Sequence, residues 1–311
     1  MRILFFGTPE LAVPSLAAVH ERFGVAAVVC QPDKPKGRSG KPAPPPVKEW
    51  ALARDIPVHQ PAKLNDGTFE AWMRDQRPDL CLVTAYGRLL KQPLLDIPPL
   101  GWLNMHPSLL PRWRGPSPIQ TALLHGDAET GVTIMKISLE MDAGDIVLQE
   151  RTPVGPEENA EALTARLAAM GGRMLADAVA LAADGELPAR PQGGAGVTYC
   201  KMLAKEDGRI RWDRPAAELH NLVRAMVPWP TAQCLHNGGV FKILAATVAD
   251  GPADAAPGTV TAVLRDRILV AAGGGRLAIL RLQAPGKKAM DTAAFLLGNP
   301  MKAGDRFGET G

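Results

Sequence analysis

The first hundred residues alternate between short apolar runs and stretches of helical spacing. The runs are 3–6, 25–30, 80–84 and 102–105. The first ends in Gly7-Thr8-Pro9 and is followed by apolar residues at Leu11, Leu16 and Val19. Residues 47–54 and 68–74 also carry helix-like patterns. Strand, helix, strand, helix with short links predicts a parallel sheet covered on both faces, an α/β architecture. Further strand candidates at 132–137 and 145–148 extend it, and a long Ala- and Leu-rich helix is expected over 158–183.

The pattern changes after Gly185. Residues 188–199 hold few core formers and begin with four Gly or Pro among seven positions, which reads as a linker. Beyond it come one helix candidate (215–226) and short strand candidates broken by glycine at 233–235, 240–248, 258–264, 268–271 and 277–283. That spacing predicts a small β-barrel. At 311 residues the chain has room for two domains, expected at 1–187 and 207–311 with a linker at 188–206. No apolar run is long enough to span a bilayer, and the short apolar start lacks a signal peptide's cleavage site. Cys30, Cys81, Cys200 and Cys234 stand far apart, which disfavours a zinc site or disulfide framework and suits a reducing cytoplasm.

The formal net charge of +3 excludes a global polycation, so any nucleic-acid surface must be local. One segment qualifies. Residues 34–48 carry Lys34, Lys36, Arg38, Lys41 and Lys48, no acid, five prolines and two glycines. Such a segment suits neither a helix nor a central strand, and its charge attracts an anion. A solvated loop is the plain alternative.

Two polar clusters could carry chemistry. Asn104 and His106 sit two apart at the end of a strand candidate, so both side chains project from one face. In open α/β sheets the cleft lies at the carboxyl ends of the strands. A turn cap and a core histidine would explain the same pair. Asp142 and Asp145 flank Gly144 between two strand candidates. They fit a hairpin turn, or a carboxylate that supports His106. Gly7-Thr8-Pro9-Glu10 lacks the spacing of a dinucleotide fingerprint or phosphate loop.

The stretch Asn104-Met105-His106-Pro107-Ser108-Leu109-Leu110-Pro111-Arg112-Trp113-Arg114-Gly115 resembles the signature of the folate-dependent formyltransferases. Gly131-Val132-Thr133-Ile134-Met135 and Met141-Asp142-Ala143-Gly144-Asp145 are similar to its second half. The opening Phe6-Gly7-Thr8-Pro9-Glu10, the segment from Gln31 to Arg38, Tyr199 to Asp207 and Ala284 to Met290 extend the resemblance over the whole chain, toward the branch that acts on tRNA. The resemblance implies a Rossmann-like N-terminal formyltransferase domain and a mostly β, OB-fold-like C-terminal barrel. It implies 10-formyltetrahydrofolate as donor, the methionine amino group of initiator methionyl-tRNA as acceptor, no metal, and a monomer. Carried over by position, the catalytic residues are Asn104, His106 and Asp142, and the folate-binding stretch is Ser108, Leu109, Leu110 and Pro111. The tRNA contacts are Lys34, Lys36, Arg38 and Lys41 on the basic loop, with Lys201, Lys205, Lys287 and Lys288 beyond. Pro107 is also found in enzymes that formylate glycinamide ribonucleotide, so a small amine is the alternative acceptor.

These residue types suit acyl transfer between nitrogens. A free amine attacks the formyl carbon and makes a tetrahedral species with a negative oxygen. A neutral amide such as that of Asn104 can donate to this oxygen. A histidine with a nearby carboxylate can move the amine's proton. From Lys205 onward the chain carries fourteen Lys or Arg against ten Asp or Glu, a mild basic bias for the tRNA side.

Overall fold

The structure, a computed structural model, describes residues 1–35 and 40–310. It divides into two compact units, and neither is one continuous stretch. The first comprises residues 1–115, 130–152 and 164–200; the second comprises 116–129, 153–163 and 201–311.

In chain order the elements are β1 (Ile3–Gly7), α1 (Val13–Phe23), β2 (Ala27–Val29), β3 (Lys34–Pro35), β4 (Pro42–Ala43), α2 (Pro46–Leu52), β5 (Val58–His59), α3 (Thr68–Gln76), β6 (Leu80–Thr84), α4 (Gln92–Leu95), β7 (Trp102–His106), α5 (Pro118–Leu124), β8 (Glu129–Lys136), β9 (Ile146–Pro153) and α6 (Ala160–Ala183). The main sheet runs β5-β2-β1-β6-β7-β8-β9. Strands β5, β2, β1, β6 and β7 are parallel, and β8 returns antiparallel to β7. The strand order reverses between β1 and β6, which is where such sheets bind ligands at their carboxyl ends. Strands β1 and β6 are buried on both faces, as a helix-covered parallel sheet requires. Phe6 packs edge-on against Tyr86 (ring centroids 5.4 Å) and Phe69 (6.2 Å) and at a tilt against Trp102 (4.7 Å), which holds the β7 tryptophan in place.

The second unit continues with α7 (Ala216–Ala225), β10 (Ala232–His236), β11 (Gly239–Ala249), β12 (Val260–Val263), β13 (Ile268–Ala271), β14 (Arg276–Gln283), β15 (Met290–Asp291) and α8 (Thr292–Gly298). Its antiparallel sheet runs β10-β11-β14-β13-β12, with β15 on β14. The end of the chain joins the two edges. Thr259 bridges Arg306 beside β12, and Leu235 of β10 bridges Gly308. The sheet is thereby closed into the expected barrel, around a core that includes Trp212, Phe241, Ile279 and Phe307.

Two sequence expectations are corrected. Residues 188–200 are not a free connector: they belong to the first unit, Cys200 is buried, and Arg114 bridges Tyr199. Low core content hid this because the segment is held by hydrogen bonds. Next, the basic segment 34–48 is not all loop. Lys34 and Pro35 pair with Ala43 and Pro42, and Lys48 lies in α2, bonded to Asp33 at 2.9 Å. Pro46 begins α2, where a missing N–H costs nothing. Helix α5 likewise starts at a proline, Pro118. Lys36 and Arg38 lie outside the described residues.

All four cysteines are buried and none forms a disulfide. Among the described residues no helix is long and apolar enough to cross a membrane, and no group of three His, Cys, Asp or Glu side chains is placed to hold a metal ion.

Candidate active site

Asn104 and His106 occupy the carboxyl end of β7, next to β6 on one side and β8 on the other. Alternation along the strand puts Trp102, Asn104 and His106 on one face. Asn104 is half-buried, and its carboxamide makes no hydrogen bond to the described residues. His106 is buried, 4% exposed. Its Nε2 lies 3.0 Å from the Trp113 carbonyl oxygen. A carbonyl only accepts, so Nε2 carries the proton and, in the neutral ring, the Nδ1 lone pair is free. That Nδ1 faces Asp142 Oδ2 at 3.7 Å, too far for a hydrogen bond but close enough for the carboxylate to stabilise an imidazolium.

Asp142 sits on the turn between β8 and β9 with a left-handed backbone (φ 52°). The Gly115 N–H donates to its Oδ2 at 2.7 Å. Gly115 has φ 116°, and a Cβ there would overlap the Cys200 carbonyl oxygen. The glycine is therefore required both for its backbone conformation and for the close approach of residue 200. We expect Gly115→Ala to destabilise the protein by about 1–3 kcal/mol, read as a lower urea midpoint, and to lower turnover with it.

Sequence reasoning missed a second ring of residues. Arg114 is buried and donates to Glu140 Oε1 (3.0 Å) and to Gln192 Oε1 (3.1 and 2.9 Å). The Gln192 amide donates to the carbonyls of Asp142 and Gly144, each at 2.8 Å. Thr198 Oγ1 accepts the Trp113 N–H at 2.9 Å. Arg114 lies within the signature; Gln192 and Thr198 carry no local sequence signal.

A cavity of about 540 Å³ opens on the same face of β7, lined by Trp102, Ile137, Ser138, Leu139, Glu140 and Ala143. The Trp102 indole donates to the Leu94 carbonyl at 3.1 Å, so its ring is fixed. Burial pushes the Tyr86 phenol up to about 12 and the Cys30 thiol up to about 11, leaving both neutral at physiological pH.

Other expected residues are distributed differently. Ser108 is buried with its hydroxyl donating to the Arg112 carbonyl (2.6 Å), and Leu110 packs with Met135 and Ile146. Leu109 and Pro111 are half-buried. Lys34 is exposed and donates to Gln31 Oε1 at 2.9 Å; Lys41 is exposed. In the second unit Lys201 pairs with Asp207 at 2.6 Å, while Lys205, Lys287 and Lys288 are exposed.

The sequence model of the formyl transferase family matches residues 1–179, and that of the formyl transferase C-terminal domain matches residues 202–300. The methionyl-tRNA formyltransferase of Moorella thermoacetica is 44% identical over 312 residues, covering 99% of both chains. That of Myxococcus xanthus is 45% identical over 305 residues, covering 98% of this chain and 97% of its own. Two solved structures share the fold. The sugar 3N-formyl transferase WlaRD, determined in the presence of dTDP and 5-N-formyl-THF, has a TM-score of 0.68 at 17% identity, covering 93% of this chain and 99% of its own. The N-formyltransferase from Helicobacter canadensis, in complex with folinic acid and dTDP-3-aminofucose, has a TM-score of 0.69 at 18% identity, covering 91% and 99%. With an asparagine, a histidine and an aspartate gathered at the end of β7, and with relatives aligned across both units, this chain belongs to the formyl transferase family, in its methionyl-tRNA formyltransferase branch.

Proposed function

We propose that the protein transfers a formyl group from 10-formyltetrahydrofolate to the methionine amino group of initiator methionyl-tRNA. The carrying observation is the full-length identity of 44% to a methionyl-tRNA formyltransferase, barrel included. Enzymes for small amines such as glycinamide ribonucleotide are the competing reading. A transfer assay offering charged initiator tRNA and glycinamide ribonucleotide separately decides between them. Formyl-methionyl-tRNA as sole product is expected; product only from the small amine would overturn the acceptor.

The folate donor supplies the formyl carbon that the amine attacks. The Asn104 carboxamide, free of internal partners, donates to the oxygen that becomes negative as the carbon turns tetrahedral. His106 Nδ1 takes the proton from the attacking nitrogen, since Nε2–H is held by the Trp113 carbonyl. Asp142 stabilises the resulting imidazolium. The same imidazolium can return the proton to the departing folate nitrogen.

The cavity beside Trp102 has the size of a small-molecule site, roughly 300–1,000 Å³. Its lining combines Trp102 and Ile137 with Ser138, Leu139 and Glu140 of the turn after β8. We assign the donor's ring system to it. Within the stretch from Ser108 to Pro111, Leu109 and Pro111 are the members with surface to contact the donor.

On the tRNA side, Lys287 and Lys288 follow β14 on a fully exposed turn and stand as phosphate contacts, with Lys205. Lys201 contributes less, because Asp207 already neutralises it. The double variant Lys287→Ala, Lys288→Ala should raise KM for tRNA and flatten the log–log salt slope by about 2, with KM for folate unchanged. A shift in folate KM instead would count against this contact patch. Lys34 and Lys41, with Lys36 and Arg38 of the same basic segment, remain the proposed contacts on this side.

A further inference from the structure

We propose that Gln192 and Thr198, on the segment that reads as a linker, are positioning residues: Gln192 for Asp142, and Thr198 for His106 through the Trp113 carbonyl. This rests on the reading of the triad above. It adds two residues from a stretch that neither family model covers, since one match ends at residue 179 and the other begins at 202.

Asp142 stands on an exposed-edge turn, and its backbone is left-handed, a conformation a non-glycine residue keeps only when its surroundings hold it. Gln192 supplies that restraint. One NH2 group donates to the carbonyl of the strained residue, Asp142, and to that of Gly144 two residues on. Its own oxygen is held by two guanidinium nitrogens of buried Arg114, so the amide cannot rotate away. Arg114 is anchored in turn to Glu140, two residues before Asp142. The turn that carries the catalytic carboxylate is thus clamped at residues 140, 142 and 144 by a network that leads back to residue 192.

Thr198 does the equivalent for the histidine. The Trp113 peptide is itself left-handed (φ 60°), and its carbonyl is the acceptor that fixes the His106 ring and its tautomer. Thr198 Oγ1 accepts the N–H of Trp113, and its backbone carbonyl accepts the N–H of Arg114 at 2.9 Å. Cys200 N–H then donates to the Arg114 carbonyl at 2.8 Å. Residues 198–200 therefore run beside residues 113–114 and set the direction of the carbonyl on which His106 depends. Without this strap the donor and acceptor could still bind, but the carboxylate and the imidazole would lose their mutual geometry. Misplacing a catalytic group by about 1 Å costs on the order of 10²-fold in rate.

Gln192→Glu keeps the oxygen that Arg114 grips and removes both N–H donors. We expect kcat to fall about 10²-fold, with KM for donor and tRNA changed less than about twofold and circular dichroism showing a folded protein. In an Asp142→Asn background the same substitution should cost less than about threefold, because the group it orients is already gone; residues that act through one another are non-additive. Gln192→Leu, of similar length and without either polar atom, carries the same comparison if the glutamate variant folds poorly. Thr198→Val should lower kcat, and Thr198→Ser, which retains the hydroxyl oxygen, should restore it. Wild-type kcat in both Gln192 variants, or a full additive loss in the Asp142→Asn background, overturns the Gln192 role. Equal losses in Thr198→Val and Thr198→Ser overturn the Thr198 role. A wild-type protein that fails to formylate methionyl-tRNA would instead overturn the functional reading itself.

Discussion

Replacing Asn104 by alanine should lower kcat about 10²–10³-fold, the usual loss on removing one oxyanion donor. The side chain makes no hydrogen bond to the described residues, so its removal orphans no buried partner and should leave the fold unchanged. It is half-buried at the end of β7, so no sizeable cavity is left either. The loss should therefore fall on the transition state, with KM for folate and tRNA nearly constant. Single-turnover formylation of charged initiator tRNA, with circular dichroism as the folding control, measures both. A variant with near-normal kcat would remove Asn104 from the reaction.

Asp142→Asn should be comparably damaging, about 10²–10⁴-fold in kcat. The substitution is nearly isosteric, and the asparagine oxygen can still accept the Gly115 N–H that now binds Oδ2. What disappears is the negative charge 3.7 Å from His106 Nδ1. The imidazolium formed during transfer then stands in a buried site without its counter-charge. Stability should change little while turnover collapses. If turnover survives, the proton leaves by another route, and Asp142 serves only to shape the turn.

How far the sequence could be read depended on the kind of interaction. Strand β6 was legible to the residue, and β1, β7 and α3 nearly so, because apolar periodicity and flanking glycines mark buried elements directly. The pairing of Asn104 with His106 followed from strand alternation alone. The placement of Asp142 beside His106, rather than Asp145, did not; it needs β8 to return against β7. The clamp by Gln192 and Thr198 was invisible because hydrogen bonds across 50 or 85 residues leave no periodic trace. Helices α5 and α8 were hidden by proline and by shortness. The cavity beside Trp102 was illegible too: Trp102 and Ile137 belong to expected strands, but Ser138, Leu139, Glu140 and Ala143 come from the turn after β8.

The interleaving of the two units carries a consequence for synthesis and for dissection of the protein. Helix α5 buries Ile119, Ala122 and Leu123, and it packs on α7, whose residues follow it by about a hundred positions. A nascent chain thus emerges with an apolar face whose cover has not yet been made. The barrel beyond it closes only when residues 306–308 bridge both of its edges. A fragment cut at residue 187 or 200, the natural choice from the domain pattern, would keep α5 and lose its partner. Such a half-protein should be aggregation-prone even though its sheet is intact. The segments at 116–129 and 153–163 tie the maturation of the barrel to chain that the ribosome delivered long before, so the two units are better treated as one cotranslational problem than as separable modules.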